Sequence, residues 1–385
     1  MKPRRIAILT TSRADYGLLH WLMRAVDEDP ATRLFVIAAG SHLSKAYGRT
    51  ADEIEADGFK IVARVKTLPF ADTPAGVARA LGRGATAFAE ALIALKPDVL
   101  VVLGDRWELL AACSAAVALR IPIAHIHGGE STEGALDEQV RHAVSKLAHL
   151  HFTAAEPYRR RLIRMGEDPA RVLNVGAPGL ESIRRSKPMA RGELESRLGF
   201  SLKGPLAAVT VHPATLSASR GDGAVDAVLA ALDRAGLRAV LTFAGADAGG
   251  RAINARLKRY AASRPGRAVA AASLGQRGYI GLLSAADVVV GNSSSGLIEV
   301  PALRRPTVNV GDRQKGRLRA PSVIDCPPNA AAVTRALRRA LSPAFRRRNC
   351  RGLTPYGDGR TAARILGALK RAPLGEALLR KSFHD

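Results

Sequence analysis

The clearest indication of the fold class is "DVLVVLGDRWELLAACSAAVALRIPIAHIH", residues 98–127. Two apolar runs, 98–105 and 121–127, flank an alanine-rich segment that is long enough for a crossover helix. Neither run alternates with polar residues, which is typical of strands that helices cover on both faces. The stretch therefore predicts a β-α-β unit of a parallel sheet.

The same rhythm continues in both directions from this unit. Further strands are predicted at 5–11, 33–40, 60–67, 149–155, 172–177, 205–213, 237–245, 268–273, 287–294 and 306–311. The stretch 176–192, rich in Gly, Pro and charge, breaks the series and predicts a hinge. We therefore predict two Rossmann-like, doubly wound parallel-sheet α/β domains, 1–178 and 179–365, followed by a helical tail, 366–385. Ligands are expected in a cleft at the strand C-terminal ends.

The net charge needs an explanation. The chain has 385 residues, too many for one ordinary core, and 58 Lys and Arg against 34 Asp and Glu give +24. A basic surface can indicate nucleic acid, an anionic small substrate, or a composition rich in Arg and Ala. The Arg residues are spread along the chain without an aromatic-interleaved stripe or finger spacing. We predict no nucleic-acid partner.

Composition also bears on compartment and metals. No apolar run approaches the roughly 20 residues that a bilayer-spanning helix needs, and "IAIL" (6–9) is too short for a signal-peptide core. Three cysteines, Cys113, Cys326 and Cys350, show no CxxC spacing, and no metal-ligand spacing stands out. We expect a cytoplasmic protein with no membrane partner, no metal and no cofactor.

Polar residues follow the predicted strands of the first domain. Arg13 opens a helix and could hold a phosphate or carboxylate, or Asp15 caps that helix and pairs with Arg13. His42 follows the second strand as a ligand or an ordinary loop residue. Asp105 and Arg106 follow the fourth strand, where Asp105 is a candidate general base, a ligand of sugar hydroxyls, or a helix N-cap.

The fifth predicted strand runs into the most crowded stretch. "HGGE" (127–130) is a turn in which glycine permits close approach of the backbone to a ligand. In the helix that follows, Asp137 and Arg141 lie at i and i+4, either as a solvated surface bridge or as part of a site. If the two strands are neighbours, Asp137 lies near Asp105, and the two carboxylates could take complementary acid and base roles.

The second domain offers groups suited to a diphosphate. His212 ends a strand, and "GNSSSGLIE" (291–299) is a strand-to-helix turn with Ser293 and Ser294. Hydroxyls and backbone N–H groups at such a turn suit a diphosphate, and Glu299 could take a ribose diol. The turn is neither a Walker loop nor GxGxxG, so nothing points to ATP or a dinucleotide.

A cationic run follows the last predicted strand. It is "GDRQKGRLR" (311–319), with Arg313, Lys315, Arg317 and Arg319. Such a run is usually solvated, but this one follows a strand end that faces the predicted cleft. Its role in anion binding therefore stays open on the sequence alone.

Taken together, seven motifs resemble those of the hydrolysing UDP-N-acetylglucosamine 2-epimerases of sialic-acid-type pathways, over about residues 5–365. They are "TSRADYGLL", "GSHLS", "VVLGDR", "HGGESTEGALDEQVRHAVSKLAHLHF", "VTVHPAT", "GNSSSGLIE" and "PTVNVGDRQKGR". The resemblance implies a GT-B fold, a tail helix 366–385 that packs back on the first domain, and a homodimer or higher homo-oligomer. It also implies a reaction without metal or nicotinamide.

The resemblance implies a specific reaction on a nucleotide-sugar substrate. A base removes the proton on sugar carbon 2 while UDP leaves carbon 1, which gives a 2-acetamidoglycal. Water then adds at carbon 1 and a proton returns to the opposite face of carbon 2, so that UDP-N-acetylglucosamine becomes UDP and N-acetylmannosamine. Carboxylates near the ring stabilise the positive charge that develops, and basic residues stabilise the leaving diphosphate.

Roles are carried over residue by residue. Asp105 and Asp137 match catalytic aspartates of the family. Positions that bind the nucleotide or its phosphates are matched by Arg13, Arg106, His212, Ser293, Ser294, Glu299 and Arg313. Motif residues around the sugar are matched by His42, Glu130, Arg141 and His142. Ala14 and Asn292 complete the predicted substrate-binding set.

One departure from the family pattern concerns the catalytic turn. Many relatives carry Glu before the Gly-Gly pair, where this chain has His127. A branch that makes legionaminic-acid precursors resembles this "HIHGGE" form and acts on a UDP- or GDP-linked 2,4-diacetamido-2,4,6-trideoxy sugar. We hypothesise that His127 replaces the carboxylate as proton shuttle. The alternative is that Glu130 takes over and His127 only contacts the sugar.

A second departure from the family pattern concerns the nucleotide-binding residues. Relatives often carry Pro-Asn where this chain has Ala244 and Gly245, so an amide contact to the nucleotide would be lost. Two other functions are also considered. The same fold also hosts glycosyltransferases, which need no base aimed at carbon 2. A non-catalytic sugar-nucleotide sensor is the third class, and it would bind without turnover.

Overall fold

The chain folds into two α/β units. A computed structural model describes residues 2–71, 73–133, 135–213, 222–245 and 249–385. Unit 1 comprises Met1–Glu130, Leu136–Arg184 and Tyr356–Asp385, and unit 2 comprises Ser131–Ala135 and Arg185–Pro355. Each unit is built on its own sheet.

The sheet of unit 1 has seven strands in the order β3-β2-β1-β4-β5-β6-β7, and every neighbouring pair is parallel. The strands are β1 (Arg4–Thr10), β2 (Thr32–Ala39), β3 (Ile61–Val65), β4 (Val99–Leu103), β5 (Ile123–Ile126), β6 (Leu150–Thr153) and β7 (Val172–Asn174). Strand order reverses between β1 and β4, as in a doubly wound sheet. The predicted fold of this half is confirmed.

The sheet of unit 2 has six parallel strands in the order β10-β9-β8-β11-β12-β13. They are β8 (Leu206–Thr210), β9 (Arg238–Thr242), β10 (Ala268–Ala271), β11 (Val288–Gly291), β12 (Thr307–Val310) and β13 (Val323–Cys326). Each strand predicted for this half of the chain is present but shorter than predicted. Strand β13 is an addition, and the two sheets together confirm the predicted GT-B class.

Helices connect the strands except between β12 and β13, where residues 311–322 form turns and irregular structure. The helices are α1 (Arg13–Glu28), α2 (Ala51–Ala56), α3 (Pro74–Leu95), α4 (Glu108–Ala118), α5 (Asp137–Leu147), α6 (Glu156–Arg164), α7 (Pro178–Arg185), α8 (Arg191–Leu198), α9 (Asp222–Ala235), α10 (Gly250–Ala262), α11 (Gly275–Ala285), α12 (Ser295–Ile298), α13 (Ala330–Leu341), α14 (Pro343–Asn349), α15 (Thr361–Arg371) and α16 (Glu376–Leu379). Within the described ranges, no helix combines the length and apolar composition that crossing a membrane requires.

Both faces of the unit 1 sheet are buried. Consecutive residues of one strand belong to different hydrophobic clusters: Ile8 and Val101 lie in one, Leu9 and Val102 in the other. This arrangement explains why these strands show no polar alternation. Each fully buried aliphatic side chain of this kind contributes about 1.5–3 kcal/mol.

The chain returns to unit 1 at its end. Ile365 and Leu369 of α15 are fully or almost fully buried in the same cluster as Ile8. The single helix predicted at 366–385 is instead two helices, because Pro373 cannot continue α15. Beyond α16, the Lys381 ammonium donates to the carbonyls of Lys146 and Ala148, 2.7 Å each, at the C-terminal end of α5.

The division between the units falls at the last residue of α7. The sequence places the domain boundary after residue 178, whereas the compact units divide between Arg184 and Arg185. Two contacts tie α7 to unit 1: the Ser182 hydroxyl donates to the Gly17 carbonyl at 3.0 Å, and Glu181 accepts from the Ala362 N–H at 2.7 Å. The predicted hinge therefore contains a helix.

Candidate active site

The carboxyl ends of β4 and β5 lie side by side in unit 1. Leu103 pairs in register with Ile126, so the loop that carries Asp105 and the turn that begins at His127 leave the sheet as neighbours. This is the condition under which the sequence predicts a shared acid/base site.

Arg141 is the centre of the polar groups at this edge. Its guanidinium is fully buried in α5 and forms an ion pair with Asp105. It also donates to the Glu130 carbonyl and to the Glu138 carboxylate, both at 3.2 Å. Burial rules out the solvated surface bridge, and the structure joins Arg141 to Asp105 across 36 residues of sequence.

Asp105 does not cap the helix that follows it. The N-cap of α4 is Trp107, and the Asp105 carboxylate turns to Arg141 instead. The capping alternative is therefore wrong, and Asp105 stays a candidate for chemistry. Asp137 is the first residue of α5, in the same helix as Arg141.

His127 and Glu130 form a pair within the Gly-Gly turn. The Nδ1 atom of His127 is hydrogen-bonded to the Glu130 carboxylate, which is fully buried. Among the described residues, His127 Nε2 has no hydrogen-bond partner. The φ angle of His127 is +66°, a strained value for a residue with a side chain, and such strain concentrates at functional sites. The turn thus holds one imidazole in a fixed orientation.

Behind β1, Asp15 acts as a cap. Its carboxylate accepts from the N–H groups of Thr11 and Ser12 at 2.8 Å each and completes a capping box at the start of α1. Arg13 and Ala14 occupy the first turn of that helix, with Ala14 exposed. The capping interpretation of Asp15 is confirmed, and the ligand roles of Arg13 and Ala14 remain predictions.

His42 lies beneath the loop rather than on it. The ring is fully buried, with Nε2 2.8 Å from the Thr10 hydroxyl and Nδ1 2.8 Å from the Thr50 hydroxyl. Burial lowers the pKa of His42, an effect that the nearby Asp15 carboxylate opposes. Both ring nitrogens of His42 lie within hydrogen-bonding distance of threonine hydroxyls. A direct contact of His42 with the sugar stays a prediction.

Two carboxylates that the sequence did not single out hold predicted site residues. Glu108, fully buried, accepts from the Arg106 guanidinium at 2.9 Å. Glu138 lies 3.0 Å from His142 Nε2 while it also accepts from Arg141. The i,i+3 and i,i+4 spacings around Glu138 could have revealed it. Glu108 gave no such signal, because a Glu in a first helical turn is ordinary.

In unit 2, Asn292 fixes the backbone of His212. The Asn292 side chain accepts from the His212 N–H at 2.7 Å and donates to the His212 carbonyl at 2.9 Å. Since Asn292 is almost fully buried, its side chain is a clamp on the loop after β8. Its predicted substrate contact remains a prediction, as does that of His212.

The serine turn after β11 carries three hydroxyls. Ser294 is the N-cap of α12, and Ser293 lies 3.2 Å from Ser295, whose hydroxyl lies 2.6 Å from that of Tyr279. Tyr279 was not predicted, because it comes from α11, 14 residues earlier than Ser293 in sequence. Glu299 is the C-cap of the short helix α12.

The cationic run of the sequence divides into different roles. Arg319 donates to the Asp325 carboxylate at 3.0 Å and to the carbonyls of Gln314 and Arg317, so it holds the loop. Arg313 donates to the Asn292 carbonyl at 3.3 Å, as does the buried Gln314 amide at 2.9 Å. Arg313 therefore lies beside the loop that carries the serine turn.

Lys315 is the exposed member of the run. Its ammonium lies 2.8 Å from the Glu133 carboxylate, and more than half of its side chain is accessible to solvent. Glu133 belongs to Ser131–Ala135, the short segment that is part of unit 2. The pair is a surface ion pair of little energetic weight.

Two of the quoted motifs, and the segment after Gly245, extend beyond the described residues. Gly134, 214–215 and 246–248 lie outside them. At the second departure from the family pattern, the Ala244 N–H donates to the Asn254 side chain at 2.8 Å. Across the described part of the chain, no group of three His, Cys, Asp or Glu side chains is arranged to hold a metal ion.

Comparison with known proteins identifies what the chain resembles. A family model described as UDP-N-acetylglucosamine 2-epimerase matches residues 24–370. The "GDP/UDP-N,N'-diacetylbacillosamine 2-epimerase (hydrolyzing)" of Campylobacter jejuni is 37% identical over 86% of each chain. The "UDP-N,N'-diacetylbacillosamine 2-epimerase (hydrolyzing)" of Legionella pneumophila is 36% identical over 98% of each.

A solved structure shares the fold. The UDP-GlcNAc 2-epimerase of Neisseria meningitidis, determined with UDP-GlcNAc bound, superposes with a TM-score of 0.80. The match covers 97% of this chain and 100% of that one at 16% sequence identity. At that identity the likeness concerns the fold.

Proposed function

We propose, because the chain belongs to the UDP-N-acetylglucosamine 2-epimerase family, that it is a hydrolysing 2-epimerase of a nucleoside-diphosphate-linked 2,4-diacetamido-2,4,6-trideoxy hexose. The observation that carries this choice is the pair of relatives at 37% and 36% identity, both named for N,N'-diacetylbacillosamine, a sugar of this class. The sequence "HIHGGE" (125–130) supports the same substrate.

The proposed reaction consumes one water. A base takes the proton from carbon 2 as the bond from carbon 1 to the diphosphate oxygen breaks, which leaves a glycal. Water then supplies a hydroxyl to carbon 1, and carbon 2 receives a proton on the opposite face. The sum is nucleotide sugar plus water giving nucleoside diphosphate plus the free manno-configured sugar.

His127 is the proposed proton shuttle, with Glu130 as its orienting partner. A carboxylate that accepts from Nδ1–H leaves Nε2 to take up and return a proton, as in other histidine-centred sites. The buried pair of His127 and Glu130 supports this assignment. Asp105 and Asp137 are proposed to stabilise positive charge on the ring and to serve the second proton transfer.

Unit 2 is proposed to bind the nucleotide. The hydroxyls of Ser293 and Ser294 and the Arg313 guanidinium suit a diphosphate, and Glu299 suits a ribose diol. From unit 1, Arg13 and Arg106 are proposed to stabilise the leaving group. The proposal extends to a cytoplasmic homo-oligomer that supplies a legionaminic- or sialic-type pathway.

A time course in heavy water tests the proposal. UDP-N,N'-diacetylbacillosamine, its GDP analogue and UDP-N-acetylglucosamine are incubated separately with the protein and followed by proton NMR. We expect nucleoside diphosphate and a manno sugar with deuterium at carbon 2, and the largest kcat/KM with a diacetamido substrate. Nucleotide release without deuterium would indicate simple hydrolysis or an abortive transferase, and binding without turnover would indicate a sensor.

UDP-N-acetylglucosamine is the second candidate substrate. The structurally similar Neisseria enzyme was determined with this compound bound. A larger kcat/KM for UDP-N-acetylglucosamine than for both diacetamido substrates would replace the first choice with the second.

Two variants separate the roles in the Gly-Gly turn. His127→Gln removes the shuttle, and we expect kcat to fall about 100- to 10,000-fold. Glu130→Gln keeps an oxygen that can accept from Nδ1–H, so a loss of only about tenfold is expected. Near-normal turnover of His127→Gln together with collapse of Glu130→Gln would instead make Glu130 the shuttle.

A further inference from the structure

His125 links two elements of unit 1 that carry predicted site residues. It lies in β5, fully buried, two positions before His127. Its Nε2 is 2.7 Å from the Gly104 carbonyl, which directly precedes Asp105. Its Nδ1 is 3.1 Å from the hydroxyl of Ser145 in α5. One imidazole therefore joins the end of β4 to the helix of Asp137.

The hydrogen bonds define the state of the ring. A carbonyl oxygen only accepts, so Nε2 carries the proton, and in the neutral ring Nδ1 accepts from the Ser145 hydroxyl. Burial lowers the pKa of His125 to about 3, although the bond to Gly104 opposes this. The ring is therefore neutral with both nitrogens engaged, and it has no free nitrogen for proton transfer to a ligand.

The backbone before Asp105 is held from two sides. Gly104 has φ +87°, which L-residues rarely adopt, and its N–H donates to the Ile126 carbonyl at 2.9 Å. Its carbonyl accepts from His125. The direction in which Asp105 leaves the strand therefore depends on β5 through both polar groups of one glycine.

The Gly-Gly turn packs directly on this imidazole. A Cβ atom built on Gly128 would lie 2.9 Å from the Ser145 hydroxyl and 3.0 Å from His125 Nδ1. The absence of a side chain at Gly128 thus lets the turn of His127 and Glu130 approach the His125–Ser145 bond. Three parts of the candidate site meet at His125.

We propose that His125 is a positioning residue, whose imidazole fixes Asp105 relative to Asp137 and to the His127 turn through the Gly104 carbonyl and the Ser145 hydroxyl. The proposal rests on the function proposed above. A displacement of about 1 Å in a reacting group costs up to about 100-fold in rate. The contribution of His125 is therefore to kcat rather than to nucleotide affinity.

Two variants of His125 test this role. His125→Leu removes both hydrogen bonds, and we expect kcat to fall about 10- to 100-fold. The Kd for UDP, measured by calorimetry, should stay the same. His125→Gln retains an N–H that can reach the Gly104 carbonyl, so it should recover most of that loss. Ser145→Ala removes one of the two hydrogen bonds of His125, so its kcat should lie between those of His125→Leu and His125→Gln.

A matched control lies on the next strand. His151 pairs in register with His125, is also fully buried, and bonds to Glu167 rather than to the Asp105 loop. His151→Leu should leave kcat unchanged. Equal losses of kcat in His125→Leu and His151→Leu, or a parallel loss of UDP binding in His125→Leu, would show a general structural role and overturn the proposal.

Crystal structures of the wild type and His125→Leu give a readout that does not depend on substrate. We expect the Asp105 carboxylate to move by about 1 Å relative to Asp137 in the variant. An unmoved carboxylate overturns the positioning role whatever the substrate is. A wild-type protein that turns over none of the three nucleotide sugars refutes the proposed function alone.

Discussion

The candidate sites of the two units are built from different kinds of groups. In unit 1, buried charges meet fixed partners, as Arg141 does with Asp105 and Glu108 with Arg106. In unit 2, neutral amides and hydroxyls set the geometry, as Asn292 does for His212. Proton transfer requires groups held in one orientation, whereas a diphosphate brings its own charge and requires donors that it can reach.

Histidines show the same contrast. Eight of the nine, at positions 20, 42, 125, 127, 142, 149, 151 and 384, lie in unit 1, and His212 alone lies in unit 2. Histidine is the side chain whose ordinary pKa lies closest to neutral pH. Unit 1 is therefore the half whose stability and chemistry should respond to acid.

Removing the central cation of unit 1 should have the largest effect. Arg141→Met leaves Asp105 without its buried partner, and we expect the free energy of unfolding to fall by about 3–5 kcal/mol. Both tryptophans, Trp21 and Trp107, lie in unit 1, so their fluorescence during urea unfolding reports on this unit. Arg313→Met in unit 2 is the control and should leave that fluorescence midpoint unchanged. An unchanged midpoint for Arg141→Met would contradict the idea that buried charges hold unit 1 together in a way that unit 2 does not share.

Mild acid should destabilise unit 1. Because the pKa of His125 is about 3 in the folded state and about 6.5 when unfolded, the unfolded chain binds more protons between these values. The free energy of unfolding is therefore unaffected by the protonation of His125 well above pH 6.5. It decreases as the pH falls below this value, by roughly 2 kcal/mol at pH 5. His149, whose pKa burial lowers to about 4, acts in the same direction.

Urea unfolding followed by tryptophan fluorescence at pH 7 and pH 5 measures this effect. His125→Gln lacks the titrating ring, so its midpoint should shift less between the two pH values. Equal midpoints for the wild type at both pH values would show that the buried histidines of unit 1 do not titrate on unfolding.

The neutral clamp of unit 2 should have a smaller effect. Asn292→Ala removes two hydrogen bonds to the His212 backbone, which costs about 1–3 kcal/mol. We expect the Kd for UDP to rise about tenfold while kcat at saturation is retained. Asn349→Ala in α14, whose side chain bonds to Phe345, is the matched control. A loss of kcat in Asn292→Ala would place proton chemistry in unit 2 as well.

Lys315→Met should have the smallest effect. Its exposed ion pair with Glu133 contributes little to folding, so the unfolding midpoint should not change measurably. The KM for the nucleotide sugar should also stay the same, in contrast to Arg313→Met, which should raise it. A raised KM for Lys315→Met would assign the whole cationic run to the ligand.

The sequence predicts the sheets well because burial on both faces leaves apolar runs. Strand β13 was not predicted, because only Ile324 of its four residues is buried and "VIDC" (323–326) has no apolar run. Helix α7 was not predicted, because Gly and Pro dominate its beginning, although Pro178 suits the first turn of a helix.

The site was predicted by residue type more readily than by partner. Spacing along α5 suggests Asp137 as a partner of Arg141, and the fold also brings Asp105 to it from the end of β4. Nothing in the sequence singles out His125, and only its two hydrogen bonds show a neutral ring that links two elements. Sequence patterns report local spacing, and partners from different strands depend on the tertiary fold.

The return of residues 356–385 to unit 1 has a consequence for synthesis on the ribosome. Unit 2 ends at Pro355, so the whole of it has left the peptidyl-transferase centre before α15 is translated. Ile365 and Leu369 pack in the same core cluster as Ile8, so the core of unit 1 is completed only after α15 has been translated. A chain that ends after residue 355 contains all of unit 2 but leaves exposed the apolar surface of unit 1 that α15 covers.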